Sequence, residues 1–396
     1  MASLLLVAGD PSGDAHAGRL VAALRRQDPT WRITALAGPA VRTAGGELLQ
    51  DLTPAAAIGP FDAARHLGRF LRAKQLCAAH LAAHRPDLAI LVDFGDFNLP
   101  VIAPLVKRHR VPLLYYISPQ VWAWGRWRLR LIRRYVDRMV VFFPFEEALY
   151  RQAGVPVTWV GHPMMDAAPV DALRAAAEPL SAGLNPWRRT VGLLPGSRPR
   201  EVSRHLPVML AAAARLAWRM PGMHLLLLKA PGVPETLIES HVRRAAIDVR
   251  IVSGATPAAF AQLDAAVVAS GTATLETALA EIPMVVVYKT SWPTYLAAKM
   301  VLRIPRIALV NVVAERNLVP ELLQHRATPA RIAEALIELL RNQEKADVIR
   351  EGLREVKQRL GPPGAVERAA RAVTECLQAF NRSSAARVPA GSPGRS

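Results

Sequence analysis

TVGLLPGSRPREV, residues 190–202, decides how the chain is read. An apolar run, Thr190–Leu194, meets a Pro-Gly-Ser turn and then a polar segment of helical period. That order is a buried strand, a tight turn and the start of a helix. It follows DAAPVDALRAAAEPLSAGLNPWR, residues 166–188, which has no strand pattern and carries three prolines. A strand-turn-helix unit that starts afresh after such a linker predicts a second domain.

Working outward, the same rhythm runs on both sides. Before the linker come SLLLVAG, ITALAG, LAILVDF, PLLYYIS, RMVVFF and VTWVG, with Ala/Leu/Arg segments between them. After it come HLLLLKA, VRIVSG, AAVVAS and MVVVYK. Runs that are apolar throughout, rather than alternating, suit strands covered on both faces of a parallel sheet. The predicted fold class is α/β: two doubly wound, Rossmann-like parallel-sheet domains facing a cleft at the carboxyl ends of their strands. The expected boundaries are 1–165 for the first domain, 166–188 for the linker and 189–361 for the second domain. A closing helix spans 362–380, and the Pro/Gly/Ser/Arg-rich stretch 381–396 is expected to be a disordered tail.

The chain has 396 residues, 51% of them hydrophobic, and a formal net charge of +18. So basic a chain favours polyanionic partners: nucleic acid, acidic lipid headgroups or phosphorylated substrates. Cys77 and Cys376 have no paired spacing, which points to a reducing compartment. The start, MASLLLVAGDPSGDA, lacks a basic n-region and reads as a first strand rather than a signal peptide. No apolar window is long enough to span a bilayer.

The chemistry lies in the loops after the strands. Gly196 and Ser197 let the backbone approach a ligand, the following helix offers free N–H groups, and Arg198 adds a fork for phosphate oxygens. A plain turn with a surface arginine is the simpler alternative. Ser270, Gly271 and Thr272 repeat the device, with Glu276 placed for ribose hydroxyls; here the simpler alternative is an N-cap and a carboxylate that complements the helix dipole. Two such loops in one domain favour a nucleotide diphosphate. Neither a GxGxxG nor a GxxxxGK[ST] motif occurs, against a dehydrogenase and a P-loop enzyme.

In the first domain, AGDPSGD (residues 8–14) and VDFGDFN (residues 92–98) each put two carboxylates at a strand end. Asp93, directly at a terminus, sits where a general base is expected, although turn and cap roles are commoner for any one aspartate. His162 reads more simply as a packed histidine than as a ligand. No cluster has metal-ligand spacing, so no metal is expected.

Taken in order, AGDPSGD, VDFGDFN, YYISPQVWAW, FFPFE, VGHPMMD, LLPGSRPREV, ASGTATLETAL, MVVVYK and NVVAERNLVPELLQ resemble the lipid-A-disaccharide synthase family of inverting, GT-B type glycosyltransferases. The resemblance runs from about Leu5 to Gln378. It implies transfer of the sugar of UDP-2,3-diacylglucosamine to the 6-hydroxyl of an acylated glucosamine 1-phosphate, releasing UDP, without metal or other cofactor. By resemblance Asp93 is the base and Arg198 steadies the leaving UDP. Gly196, Ser197, Ser270–Thr272 and Glu276 line the UDP site; Asn311 and Arg316 join it on resemblance alone. Ser12, Asp14, Asp96, Asn98, Gln120 and Trp122 belong to the acceptor side.

Departures from the family pattern cluster in the first domain. They are Asp10 and Pro11, Gly95 in place of a proline, the thinned ALAGPAV (residues 35–41), and Pro60 and Asp62. Another UDP-sugar transferase, or an enzyme like UDP-N-acetylglucosamine 2-epimerase, therefore stays open.

SPQVWAWGRWRLRLIRRYVDR, residues 118–138, holds three tryptophans and six arginines. Indoles sit well at headgroup level and basic faces bind anionic lipid. The segment predicts peripheral attachment to an anionic membrane through Trp127, Arg128, Arg130, Arg133 and Arg134, on the inner face of the cytoplasmic membrane. Trp122 and Trp124 as plain packing is the alternative. Nucleic acid is not expected, because it would leave the carboxylate and phosphate loops unexplained. No oligomeric state is implied.

Overall fold

The structure is a computed structural model and describes residues 1–56, 63–123, 125, 127–166, 188–254, 256–292, 295 and 306–385. Most of the linker, the last eleven residues, Pro60, Asp62, Trp124 and Arg126 lie outside these. The chain divides into two compact units, Met1–Asp166 with Gly361–Ser396, and Ala167–Leu360.

The first unit is built on a seven-stranded sheet in the order β3-β2-β1-β4-β5-β6-β7. Its strands are β1 (Ser3–Ala8), β2 (Arg32–Ala37), β3 (Glu47–Asp51), β4 (Leu88–Val92), β5 (Leu113–Tyr116), β6 (Arg138–Val141) and β7 (Val157–Trp159). Every pairing is parallel. The apolar strands are buried on both faces, as their composition requires: Leu4, Leu6 and Ala8 enter one core, Leu5 and Val7 the other. β3 was not legible as a strand. It is an edge strand with the mixed sequence ELLQD, and pairing to β2 makes it one.

The last helix, Ala365–Ala385, packs Val366, Ala369, Ala370, Val373 and Leu377 onto the first core. Asp166 caps its start, accepting from the N–H groups of Gly364 (2.6 Å), Ala365 (3.0 Å) and Val366 (3.2 Å). The helix runs on to Ala385, into the stretch expected to be disordered, since the first helix breaker there is Pro389.

The second unit carries a six-stranded parallel sheet, order β10-β9-β8-β11-β12-β13. Its strands are β8 (Thr190–Leu194), β9 (His224–Lys229), β10 (Arg250–Ser253), β11 (Ala265–Ala269), β12 (Met284–Tyr288) and β13 (Glu321–Leu323). β13 is another short edge strand that the sequence pattern left unread. In each sheet the strand order reverses once, between β1 and β4 and between β8 and β11. Loops leaving those neighbouring strands diverge and open a crevice at the sheet edge. The four loops singled out from the sequence are the four that meet at these two points.

Candidate active site

In the first unit, β4 ends at Val92, and Asp93 and Phe94 follow with φ of 43° and 49°. Two successive left-handed residues without glycine are strained, on the order of 1–3 kcal/mol each. The surroundings hold them there. The Asp93 N–H donates to Tyr116 O (3.0 Å). The Asp93 carbonyl accepts from Asn98 Nδ2 (2.9 Å) and from the Tyr115 hydroxyl. The turn leaves the Asp93 carboxyl at the end of the strand beside the loop after β1. Burial first, then the charge of Asp10, pushes that carboxyl up to about 7, with Asp96 adding to the effect; the Phe94 N–H and Arg128 oppose it. A carboxylate tuned near neutral pH is suited to taking a proton from a hydroxyl.

Around it, Ser12 after β1, Asp96 after β4 and Gln120 after β5 are exposed at the same sheet edge. Trp122 is half-buried and packs edge-on against Phe145 (5.3 Å between centroids). Two residues expected on the acceptor side do structural work instead. Asp14 is buried and accepts from the N–H groups of Gly38 (2.7 Å), Ala40 (2.9 Å) and Val41 (3.3 Å), starting the short helix Pro39–Thr43. Asn98 is fully buried, and its Nδ2 is spent on the carbonyls of Val92 and Asp93. It shapes the turn that carries Asp93. His162 is the packed histidine of the simpler reading: its Nδ1 accepts from Met164 N (3.2 Å), and burial lowers it to about 4.

Arg128 is a further correction. Expected on a membrane-facing surface, it is 2% exposed and bonds the Asp96 carboxylate. It begins the helix Arg128–Tyr135 and turns inward, while Arg130, Arg133 and Arg134 on that helix remain exposed and Trp127 is 54% exposed.

In the second unit, β8 leads into Pro195, Gly196 and Ser197. Arg198 occupies the N-cap position of the helix Pro199–Arg219 without capping it. Gly196 has φ +117°, and a Cβ there would lie 3.2 Å from that of Glu201, so glycine suits the turn. The Arg198 side chain is 80% exposed and reaches Glu201 only at 3.4 Å, which leaves it available to a phosphate. His205, which the sequence reading passed over, pins this loop. Buried, it meets Pro195 O through Nδ1 (3.2 Å) and accepts from Lys289 N through Nε2 (2.9 Å), so Nδ1 carries the proton. A lone histidine ten residues past a turn gives no sequence signal of that role.

At β11, Ser270 and Gly271 (φ +150°) precede Thr272 and the helix Ala273–Leu279. Ser270 Oγ donates to Ile307 O (3.3 Å), and Thr272 is exposed. Burial raises the Glu276 carboxyl. Asn311, expected in the UDP site, is fully buried, exchanges hydrogen bonds with Val319 (2.9 Å each way) and donates to the Glu321 carboxylate (2.8 Å). With its amide so engaged, it braces β13. Arg316 pairs with Glu355 at 2.7 Å from a half-exposed position. Among the described residues no three His, Cys, Asp or Glu side chains gather as a metal site.

Two parallel-sheet α/β units, each with its strand order reversed once, have the fold seen in GT-B glycosyltransferases. The solved calicheamicin glycosyltransferase is similar in fold (TM-score 0.58, 16% identity, 96% of this chain and 99% of that one). So is Anabaena HepE, solved in complex with UDP and glucose (TM-score 0.54, 14% identity, 96% and 100%). The family model for lipid-A-disaccharide synthetase matches residues 4–374. The lipid-A-disaccharide synthase of Syntrophus aciditrophicus is 44% identical over 369 residues, 93% of this chain and 96% of that protein. The chain belongs to the lipid-A-disaccharide synthase family. It is a hexosyltransferase of lipid A biosynthesis.

Proposed function

We propose that the chain joins UDP-2,3-diacylglucosamine to 2,3-diacylglucosamine 1-phosphate, with Asp93 as the base. The acceptor 6-hydroxyl oxygen attacks C1 of the donor sugar. Its proton passes to the Asp93 carboxylate, the C1–O bond to the diphosphate breaks, and UDP leaves with the electron pair. Arg198 and the loops Gly196–Ser197 and Ser270–Thr272 take up the charge that grows on UDP, and Glu276 receives the ribose hydroxyls. The observation that carries this reading is Asp93 itself: a carboxyl raised to about 7 on a strained turn at the switch point of the first sheet.

Attachment to an anionic membrane belongs to the same proposal, since both substrates carry acyl chains. It is supported by Trp127 and by Leu67 (57% exposed) and Leu71 (51%) on the helix Ala63–His84. That helix and Arg128–Tyr135 pack on the same core of the first sheet. Arg69, Arg72 and Lys74 are exposed beside the leucines, and Arg130, Arg133 and Arg134 beside the tryptophan. No described helix is long and apolar enough to cross a membrane.

The test is a mass-spectrometric product assay with both substrates in detergent and chelator, beside Asp93→Asn. A disaccharide 1-phosphate and UDP from the wild type, absent with the variant, is the expected result. UDP release without that disaccharide would overturn the acceptor assignment.

A further inference from the structure

We infer that Arg128 is a positioning residue for the transfer: its buried guanidinium ties the helix Arg128–Tyr135 to the Asp93 loop through Asp96 and sets a fixed positive charge near the Asp93 carboxylate. The inference rests on the proposed role of Asp93 as base.

A guanidinium at 2% exposure is uncommon, because removing the charge from water must be offset by partners. Arg128 has a built niche. Its backbone N–H donates to Gly125 O (2.8 Å), which fixes the turn into the helix. Gly125 has φ +71°, which favours glycine, and its backbone lies against the guanidinium. The Trp127 ring lies 5.5 Å away. The carboxylate partner is Asp96, three residues past Asp93 and 73% exposed on its side chain. A surface pair of this kind does not require a buried arginine. A site that must hold one charge in place near another does.

The groups facing Asp93 come from several elements. Asp10 stands after β1, Asp96 and the Phe94 amide lie on its own loop, Arg128 comes from the helix after β5, and Tyr115 on β5 bonds the Asp93 carbonyl. Of the charged ones among the described residues, Asp10 and Asp96 favour the protonated acid and Arg128 favours the carboxylate. Arg128 therefore counters the two acids and keeps a working fraction of Asp93 ionised near neutral pH.

Two substitutions break the same contact but change charge in opposite senses. Arg128→Met removes the cation; Asp96→Asn removes an anion. The Asp93 carboxyl is followed by carbon NMR titration, assigned with Asp93→Asn, and kcat/KM is measured against pH. Arg128→Met is expected to move the Asp93 titration up by about one pH unit and the acid limb of kcat/KM with it. Asp96→Asn is expected to move both down by less, and Arg128→Lys to restore the wild-type titration in large part. Equal shifts in one direction, or none, would overturn the inference and leave only a mechanical tether. If Arg128→Met fails to fold by circular dichroism, Asp96→Asn and Arg128→Lys decide alone. Full turnover by Asp93→Asn would sink the base assignment, and the NMR titration would still decide the place of Arg128.

Discussion

Gly9 and Phe94 meet across the switch point of the first sheet: a Cβ on Gly9 would fall 2.1 Å from Cδ1 of the Phe94 ring. The loop after β1 is therefore bare at Gly9 because the turn that carries Asp93 fills the space. Gly9→Ala must displace Phe94, the residue next to Asp93. We expect a loss of about 1–3 kcal/mol from overpacking, together with reduced turnover. Thermal melting and the product assay check this; unchanged values for both would mean that Phe94 has a second place to go.

Arg198→Ala should lower kcat by about 10²–10³, the usual loss when one donor to a developing anion is removed. Arg198→Lys should recover part of it, since a point charge replaces the fork only incompletely. Melting should not change, because the side chain is 80% exposed. Wild-type kcat in the alanine variant would remove Arg198 from the mechanism.

Asn311→Ala separates bracing from binding. It leaves the buried Val319 N–H without its acceptor, a loss of about 1–3 kcal/mol. Melting should drop while the donor KM of the folded protein stays near the wild-type value. The reverse pattern, a raised KM with unchanged melting, would return Asn311 to the UDP site.

Glu146 gives stability a pH dependence. Burial pushes its carboxyl from 4.5 to about 8, against the hydrogen bond it accepts from the Phe143 N–H (3.2 Å). Between those values the native state holds a proton that the unfolded chain has released. The stabilisation is complete below 4.5 and is lost as pH rises through 8. Asp93 acts in the same sense up to about 7. Melting temperature should therefore fall across this window in the wild type, and Glu146→Gln should flatten the fall. An equally steep profile in the variant would assign the slope elsewhere.

For the membrane face, liposome flotation with anionic lipid should retain the wild type at low salt and release most of it at high salt, where exposed charges are screened. Leu71→Glu and Trp127→Ser should each weaken retention, and neutral vesicles should retain little. Retention unaffected by either substitution would place the contact on another surface.

The loops proposed to hold phosphate stand out in the sequence because a strand end, small residues and a helix start lie in one continuous stretch. Gly196, Ser197, Arg198, Ser270, Gly271 and Thr272 needed only the strand order to come to one crevice. Asp93 was legible for the same reason, standing directly after LAILV. Its protonation was not: that depends on burial, on Asp10 from another strand and on Arg128 from a helix thirty-five residues away.

Sequence alone determined the two parallel sheets, since runs such as LLLV and AAVVA must be covered on both faces and can be covered only by helices between them. It also placed the loops at the two switch points, because they follow those strands. The tertiary structure decided everything that turns on where a polar side chain points. β3 and β13 are strands only because a neighbour accepts their hydrogen bonds. Asp14, Asn98 and Asn311 look like ligands in the chain and Arg128 like a surface charge, yet each is turned inward by backbone groups or a partner distant in sequence. Local periodicity carries the hydrophobic pattern, whereas a buried polar atom must find its partner wherever the fold brings one.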